Sequence, residues 1–310
     1  MDKISKNDFT LLKEIALMDS IPNGAYNIRK NGDSAGRFST ESVRIENKTD
    51  GKAGIDINVR SNTKGETIHI PVIITESGHS EVVYNDFFIG DNCDITIMAG
   101  CGIHNCGDEA SRHDGVHTFY IGKNSTVRYA ERHYGDGDGK GERIMNPETV
   151  VYVGEGSTIQ MDTVQIKGID STARKTKIVV GKDGSAIINE KLLTHGNQFA
   201  GSDMDLILDG ENANGRIISR SVAQDNSKQV FRPCVVGKTQ CFGHIRCDSI
   251  LMNDATISSV PALDAQHTDA QLIHEAAIGK IAGDQLLKLM TLGLTEEEAE
   301  EKILEGFLGE

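Results

Sequence analysis

The feature that most constrains this chain is a turn-plus-strand unit that returns at a nearly fixed interval. Ile89-Gly90-Asp91-Asn92 leads into Ile95, Ile121-Gly122-Lys123-Asn124 into Val127, and Val153-Gly154-Glu155-Gly156 into Ile159. Val180-Gly181-Lys182-Asp183-Gly184 leads into Ile187, Leu208-Asp209-Gly210 precedes Ile217, and Val236-Gly237-Lys238 has the same style. The turn glycines Gly90, Gly122, Gly154, Gly181, Gly210 and Gly237 thus recur almost evenly along the chain. A unit that ends in a glycine turn and restarts a β-run each time is the mark of a solenoid. The interval is too long for hexapeptide coils. It suits a larger parallel β-helix whose coils stack about 4.8 Å apart.

Within the units, Cys93-Asp94-Ile95-Thr96-Ile97 and Met204-Asp205-Leu206-Ile207-Leu208 alternate apolar with polar residues, as half-buried strands do. The competing architecture is an irregular β-sandwich with glycine turns at chance spacing. Composition favours the solenoid: the 310 residues include 33 glycines, no tryptophan and only 5% aromatics, which suits tight corners around a thin interior. The fold expected is all-β, a right-handed parallel β-helix with helices at both ends.

Charge and ends narrow the function classes. A net charge of −14 argues against nucleic acid, whose phosphates need clustered Lys and Arg. No apolar run approaches the roughly 20 residues of a membrane span. The charged N-terminal stretch is unlike a signal peptide, so a cytoplasmic chain is expected. Residues 7–18 show a helical apolar face, with Asn7 or Asp8 as cap and Pro22 and Gly24 as stop. A second helical pattern is expected over Ala276–Leu292, and a third after the Thr295–Glu298 capping box, carried by Ala299, Ile303 and Phe307. The division expected is 1–22 for the first helix, 23–260 for the core, and 261–310 for the end of the core and the C-terminal helices.

Two polar clusters carry chemistry. In the first, Cys101, His104, Cys106, His113 and His117 have the residue types that bind zinc or iron, though at loose spacing, and packing is the favoured reading. In the second, Cys247 and His274-Glu275 are spaced as Gly154 is from Gly181 and Gly210 from Gly237. That is one coil length, which puts them on adjacent rungs if the register holds across Pro261 and the Met252–Asp254 turn. Such a set either binds iron or forms a nucleophile, base and orienter. The run Gly135–Gly141 reads as a mobile surface loop rather than a calcium site, and Cys234 and Cys241 read as packing residues.

The stretch Gly243-His244-Ile245-Arg246-Cys247-Asp248-Ser249-Ile250, followed by Ile273-His274-Glu275-Ala276-Ala277-Ile278-Gly279-Lys280-Ile281, resembles the SufB/SufD family of iron–sulfur cluster assembly proteins. Asp284-Gln285-Leu286, Met290–Leu294, Glu297-Glu298-Ala299, Ser219–Ala223 and Asp170–Arg174 extend the match over nearly the whole chain beyond the first helix. The resemblance implies a β-helical scaffold, not an enzyme, on which iron and sulfide form a transient cluster for transfer to apo-proteins. It implies pairing through the cores, here as a homodimer since the chain looks like a compact single-subunit form. A SufC-like ABC-type ATPase would dock on the C-terminal helices, where Leu286, Leu289, Met290, Leu294, Ile303 and Phe307 are the expected contacts. Carried over by motif, Cys247, His274 and Glu275 are the cluster-assembly residues. Cys93, Cys101 and Cys106, with His104, His113 and His117, are the candidates for sulfur relay or metal binding. The resemblance leaves open whether a flavin binds. The competing functions are a β-helix enzyme acting on polysaccharide, disfavoured by the scarcity of aromatic platforms, and a structural zinc-binding solenoid.

Overall fold

The computed structural model of the chain describes residues 4–309. Among these, two long sheets face each other along a flattened parallel β-helix. The ten-stranded sheet begins with the antiparallel pair Asp33–Phe38 and Tyr26–Lys30. It then runs in parallel through Lys64–Ile74, Asp94–His104, Thr126–Asp136, Thr158–Lys167, Ser185–Thr194, Ala213–Ala223, Cys241–Leu251 and Ala270–Gly279. The eleven-stranded sheet starts with antiparallel Val43–Asn47 and Gly54–Val59 and ends with the short strands Thr256–Ser259 and Ala262–Ala265.

Coil lengths follow the intervals between turn glycines. Asp94 pairs with Thr126 and Thr126 with Thr158, after which Thr158 pairs with Ser185 and Ser185 with Asn214. The glycines of these turns are needed for close approach rather than for a left-handed backbone. A Cβ on Gly122 would sit 2.5 Å from Asp91 Oδ1, one on Gly154 2.5 Å from the Ile121 carbonyl oxygen, and one on Gly210 2.1 Å from the Lys182 nitrogen. The left-handed position comes two residues later, at Asn92, Asn124, Gly156, Asp183 or Asn212, and asparagine and aspartate tolerate it best after glycine.

Three sequence expectations are corrected. Helix α1 spans Lys6–Ala16; Ser5 is its N-cap, Asp8 is the third helical residue of a capping box, and Leu17 in the left-handed region ends it before Pro22. Its buried face, including Leu12 and Ile15, lies on Gly100, where a Cβ would meet the Ile15 carbonyl oxygen at 2.3 Å. Residues Ala276–Gly279 are strand, not helix, because Ala270–Gly279 pairs along its length with Cys241–Ile250, and pairing overrides the helical propensity of the alanines. Helix α2 starts only at Gly283 and ends at Thr291, and α3 spans Glu296–Leu308 behind the expected Thr295 capping box. The Gly135–Gly141 run is close-packed rather than a free loop. Cβ atoms on Gly137, Gly139 and Gly141 would fall 2.2, 2.3 and 2.1 Å from backbone oxygens of Asn105, Gly107 and Glu109.

Inside the solenoid, successive coils place one inward residue above the next. One column is apolar: Ile97, Tyr129, Met161, Ile188, Ile217 and Ile245. The next inward column is polar, passing from Glu131 through Thr163, Glu190 and Ser219 to Cys247. Beside it runs a third, from Cys101 through His133, Gln165, Leu192 and Ser221 to Ser249.

Candidate functional site

The site is built at the C-terminal end, where the apolar and polar columns meet the last coil. Cys247 ends the polar column just inside that coil and is 2% exposed. His274 stands in the last coil opposite Ile245, extending the apolar column with an imidazole. The register sets Cys247 against Ala276 rather than His274, so the thiol reaches the ring diagonally, with Sγ 3.8 Å from Nε2. Neighbouring residues of a strand point to opposite faces, and Glu275 accordingly lies on the outer face, 61% exposed, with Oε2 3.4 Å from His244 Nε2. The structure therefore brings together Cys247 and His274 and sets Glu275 apart. Burial pushes the Cys247 thiol up to about 11; the Ser259 hydroxyl works against this, and the charges of Glu190 and Asp248 add to it.

The acidic group that does line the Cys247 interior is Glu190, which accepts hydrogen bonds from Ser202 Oγ at 2.7 Å and Ser219 Oγ at 2.8 Å. Behind it Arg174, from the opposite sheet, pairs with Glu131, and Tyr129 Oη donates to Glu131 Oε1 at 3.0 Å. His133 Nδ1 lies 3.4 Å from Arg174 Nη2 and 3.3 Å from Gln165 Oε1. Two narrow voids of about 10 Å³ each interrupt this packing, one beside Arg174 and Glu190, the other between Glu190 and Cys247. Each is near the size of a single water. Burial raises the Glu131 carboxyl, but Arg174 and then His133 outweigh it and hold it well below the usual range.

At the other end of this lane Cys101 is buried beside His113, whose Nδ1 is 3.1 Å from Glu81 Oε1. Burial opposes the charged His113 ring, yet Cys101 and Glu81 outweigh burial and raise it to about 10. His117 is buried between Asn85 and Tyr129, 2.8 Å from Tyr129 Oη, and burial lowers it to about 4. Cys93 directs Sγ at the Arg60 carbonyl oxygen, 3.2 Å away, in a packing role. Cys106 is exposed and lies beside His104. Cys241 is buried and Cys234 half-buried. Among the described residues, no three His, Cys, Asp or Glu side chains converge on one metal position.

Sequence reasoning missed Glu131, Arg174 and Glu190. Their signal was strand parity: each lies an even number of residues from an inward apolar neighbour, Glu131 from Tyr129 and Glu190 from Ile188.

Residues 73–307 match the family described as the SUF system FeS cluster assembly, SufBD core domain. The chain belongs to the SufBD family. Among its curated relatives, an iron–sulfur cluster assembly SufBD family protein of Methanocaldococcus jannaschii is 30% identical over 274 residues, covering 87% of this chain and 85% of that protein. One of Archaeoglobus fulgidus is 27% identical, covering 79% of this chain and 66% of the relative, and one of Methanothermobacter thermautotrophicus is 28% identical over 74% and 55%. The match thus spans little more than half of the Methanothermobacter relative and just under two thirds of the Archaeoglobus one. Membership ties the chain to iron–sulfur cluster assembly, and the matched SufBD region holds both Cys247 and His274.

The C-terminal helices also lie mostly within that match. Ala299, Leu304 and Leu308 of α3 are buried, and Leu304 and Leu308 pack with Val222, Leu193, Ile250 and Phe307. Leu286, Leu289, Leu294 and Ile303 are half-buried, leaving Leu287, Met290 and Leu292 as the exposed apolar residues of α2 and the turn after it. Among the described residues, no helix is long and apolar enough to cross a membrane. A groove of about 880 Å³ lies elsewhere, on the outer face beside the stacked rings of Phe88, Tyr120 and Tyr152. Among the described residues that line it, Glu41 is the one carboxylate, short of the pair that glycoside hydrolysis uses.

Proposed function

We propose that this chain is a scaffold on which iron and sulfide are joined into a cluster that is then passed to apo-proteins, without turnover by the chain alone. The observation that carries the reading is the Cys247–His274 pair, one thiol and one imidazole at 3.8 Å inside the last coil. Two such ligands are too few to retain a cluster, for which stable sites use about four cysteines. A second copy, paired edge to edge through the open final coil, supplies the same two and gives a mixed ligand set from which the cargo can leave. The polar lane from Cys101 to Cys247 offers sulfur a hydrogen-bonding interior between the two thiols.

A SufC-like ATPase docks on Leu287 and Met290 of α2 and Leu292 of the turn after it, because α3 is committed to the solenoid flank. Nucleotide-driven movement of docked ATPases would bias the paired ends between closed and open states. The chain works in the cytoplasm with a sulfur donor and acceptor apo-proteins.

Anaerobic reconstitution with ferrous iron and sulfide tests the reading. The parent chain should take up iron and acid-labile sulfide and pass them to an apo-ferredoxin, and Cys247→Ala should do neither. Equal loading and transfer by Cys247→Ala would overturn it.

A further inference from the structure

We propose that the outer face of the eleven-stranded sheet docks an extended peptide segment of a partner protein, apolar along its length and acidic at one end. The inference concerns a different face from the Cys247–His274 site and does not rest on the scaffold reading. Phe88, Tyr120, Tyr152, Val179, Ile207 and Val236 stand in register on successive coils. Each is flanked by inward residues, as Phe88 is by buried Phe87 and Ile89, so the column faces outward. The rings of Phe88, Tyr120 and Tyr152 are 41%, 43% and 44% exposed and stack nearly parallel, with centroids 5.2 and 5.5 Å apart. At strand spacing the column is about 24 Å long, a continuous apolar stripe rather than the scattered apolar residues ordinary on a surface.

The fold keeps a trough open beside the ladder. Two residues beyond each ring, on the same face, come Gly90, Gly122 and Gly154, which line the groove of about 880 Å³. No side chain can fill these positions: a Cβ would fall 2.5 Å from the Ser61 nitrogen, Asp91 Oδ1 and the Ile121 carbonyl oxygen respectively. The close approach that packs the coils therefore also makes the trough. Its N-terminal end is set by Asn58, which pairs with Phe88 on one side and with Arg44 on the other. The charged residues lining this end are Arg44, Arg60 and Glu41, a net positive patch on a chain of net charge −14. Both guanidinium groups are solvent-facing, with side chains 73% and 71% exposed, and Arg60 lies a loose 3.8 Å from Glu41.

These features select the occupant. Sugars and unpaired bases stack on open ring faces, and here the rings cover one another and turn their edges outward. Ring edges carry the positive side of the quadrupole and suit carbonyl and carboxylate oxygens. The Gly90, Gly122 and Gly154 N–H groups already bond the carbonyls of Val59, Ile89 and Ile121, so recognition comes from side chains rather than from an added strand. An extended segment of about seven residues matches the stripe in length. Its apolar side chains bury the column, the Tyr120 and Tyr152 hydroxyls donate to its carbonyl oxygens, and its carboxylates meet Arg44 and Arg60.

The test pans a displayed library of random twelve-residue peptides on the full chain, and then measures the most enriched peptide, fluorescein-labelled, by anisotropy. Enriched sequences should be apolar with Asp or Glu clustered at one end. Tyr120→Thr with Tyr152→Thr should weaken the labelled peptide about tenfold or more, as loss of central aromatic contacts does. Arg44→Glu with Arg60→Glu should weaken it comparably and restore binding to the same peptide remade with lysine for its acids. That rescue requires a folded protein, so it separates recognition from loss of structure. Enriched peptides that bind both double variants as they bind the parent, or that are basic, overturn the proposal, as does a library that yields no enrichment. A single-stranded oligonucleotide binding the ladder more tightly than the peptide would assign it to nucleic acid instead. A drop in light-scattering mass in the tyrosine variant would assign the stripe to a second copy of this chain, and either result sinks the peptide reading.

Discussion

Replacing Arg174 with methionine removes the cation from the centre of the polar lane while keeping most of its volume. Arg174 is 5% exposed and lies between Glu131, 2% exposed, and Glu190, 6% exposed. Breaking a buried pair by removing one partner costs about 3–5 kcal/mol. The lower end applies here, because Glu131 keeps the Tyr129 hydroxyl and Glu190 keeps the Ser202 and Ser219 hydroxyls. A loss of about 3 kcal/mol corresponds to roughly hundredfold faster amide exchange. Stability in a repeat array is largely local, so exchange should rise in Thr126–Asp136 and Ser171–Val180 and change little in the first coils. The pH dependence supplies a second sign. In the parent, Glu131 is depressed by Arg174, so its contribution is present above its unfolded ionisation near pH ~4.3 and is lost as pH falls through the folded value. In the variant the largest of the lowering influences is gone while His133 remains, so the carboxyl sits higher than in the parent and the gap between parent and variant should narrow as pH is lowered. Adding Glu131→Gln to Arg174→Met should recover stability. A loss below about 1 kcal/mol, or a double variant whose losses simply add, would refute the argument.

Other substitutions probe the stacking and the Cys101 end. Gly210→Ala places a Cβ 2.1 Å from the Lys182 nitrogen and should lower stability by about 1–3 kcal/mol, whereas Gly279→Ala meets nothing within 4 Å and should stay within about 0.5 kcal/mol. Equal melting behaviour for both would remove close coil approach as the reason for the turn glycines. His113 is raised to about 10, so its contribution is fully present below the unfolded value near ~6.5 and is lost as pH rises toward 10. Denaturation midpoints should therefore fall over that window in the parent and show less of the fall in His113→Gln.

Much of the fold was legible because a solenoid writes its period into the turns: the glycines that space the sequence are those that let coils approach. What the intervals could not show is where each register slips. Cys247 and His274 are spaced like the turn glycines, which suggests facing positions, yet the last coil brings Ala276 opposite Cys247, and the pair meets only on the diagonal. Glu275 follows His274 in sequence and so falls on the opposite face, a consequence of strand alternation that a helical reading of the alanines concealed. Arg174 and Glu190 were invisible for another reason. They come from opposite sheets, and no local pattern pairs them. Docking residues were placed by apolar periodicity, which marks buried and exposed apolar positions alike, so half-buried Leu286 and Leu289 looked the same as exposed Leu287 and Met290.

The two ends of the solenoid are finished differently, and the difference bears on pairing. At the N-terminal end each sheet closes with an antiparallel strand. At the C-terminal end, Ala270–Gly279 is the edge of one sheet, while α3 lies along the flank on Leu193, Val222 and Ile250. That ten-residue edge, Ala-Gln-Leu-Ile-His-Glu-Ala-Ala-Ile-Gly, carries no lysine and no proline, the usual protections of an exposed edge. Its Ile273 and Ile278 are both 44% exposed. An unprotected edge one coil outside Cys247 is what edge-to-edge pairing of two copies requires, and pairing there brings two Cys247–His274 sets to one interface. Ile273→Lys with Ala277→Lys adds charge on the solvent face of that strand and leaves the inward residues untouched. The parent should weigh about 67 kDa by light scattering, twice the chain mass of 33.6 kDa, and the double variant should be monomeric and fail to hold a cluster while keeping both ligands. A parent that holds the cluster as a monomer, or a variant that stays dimeric and loads normally, would show that the open edge is not where the two sites meet.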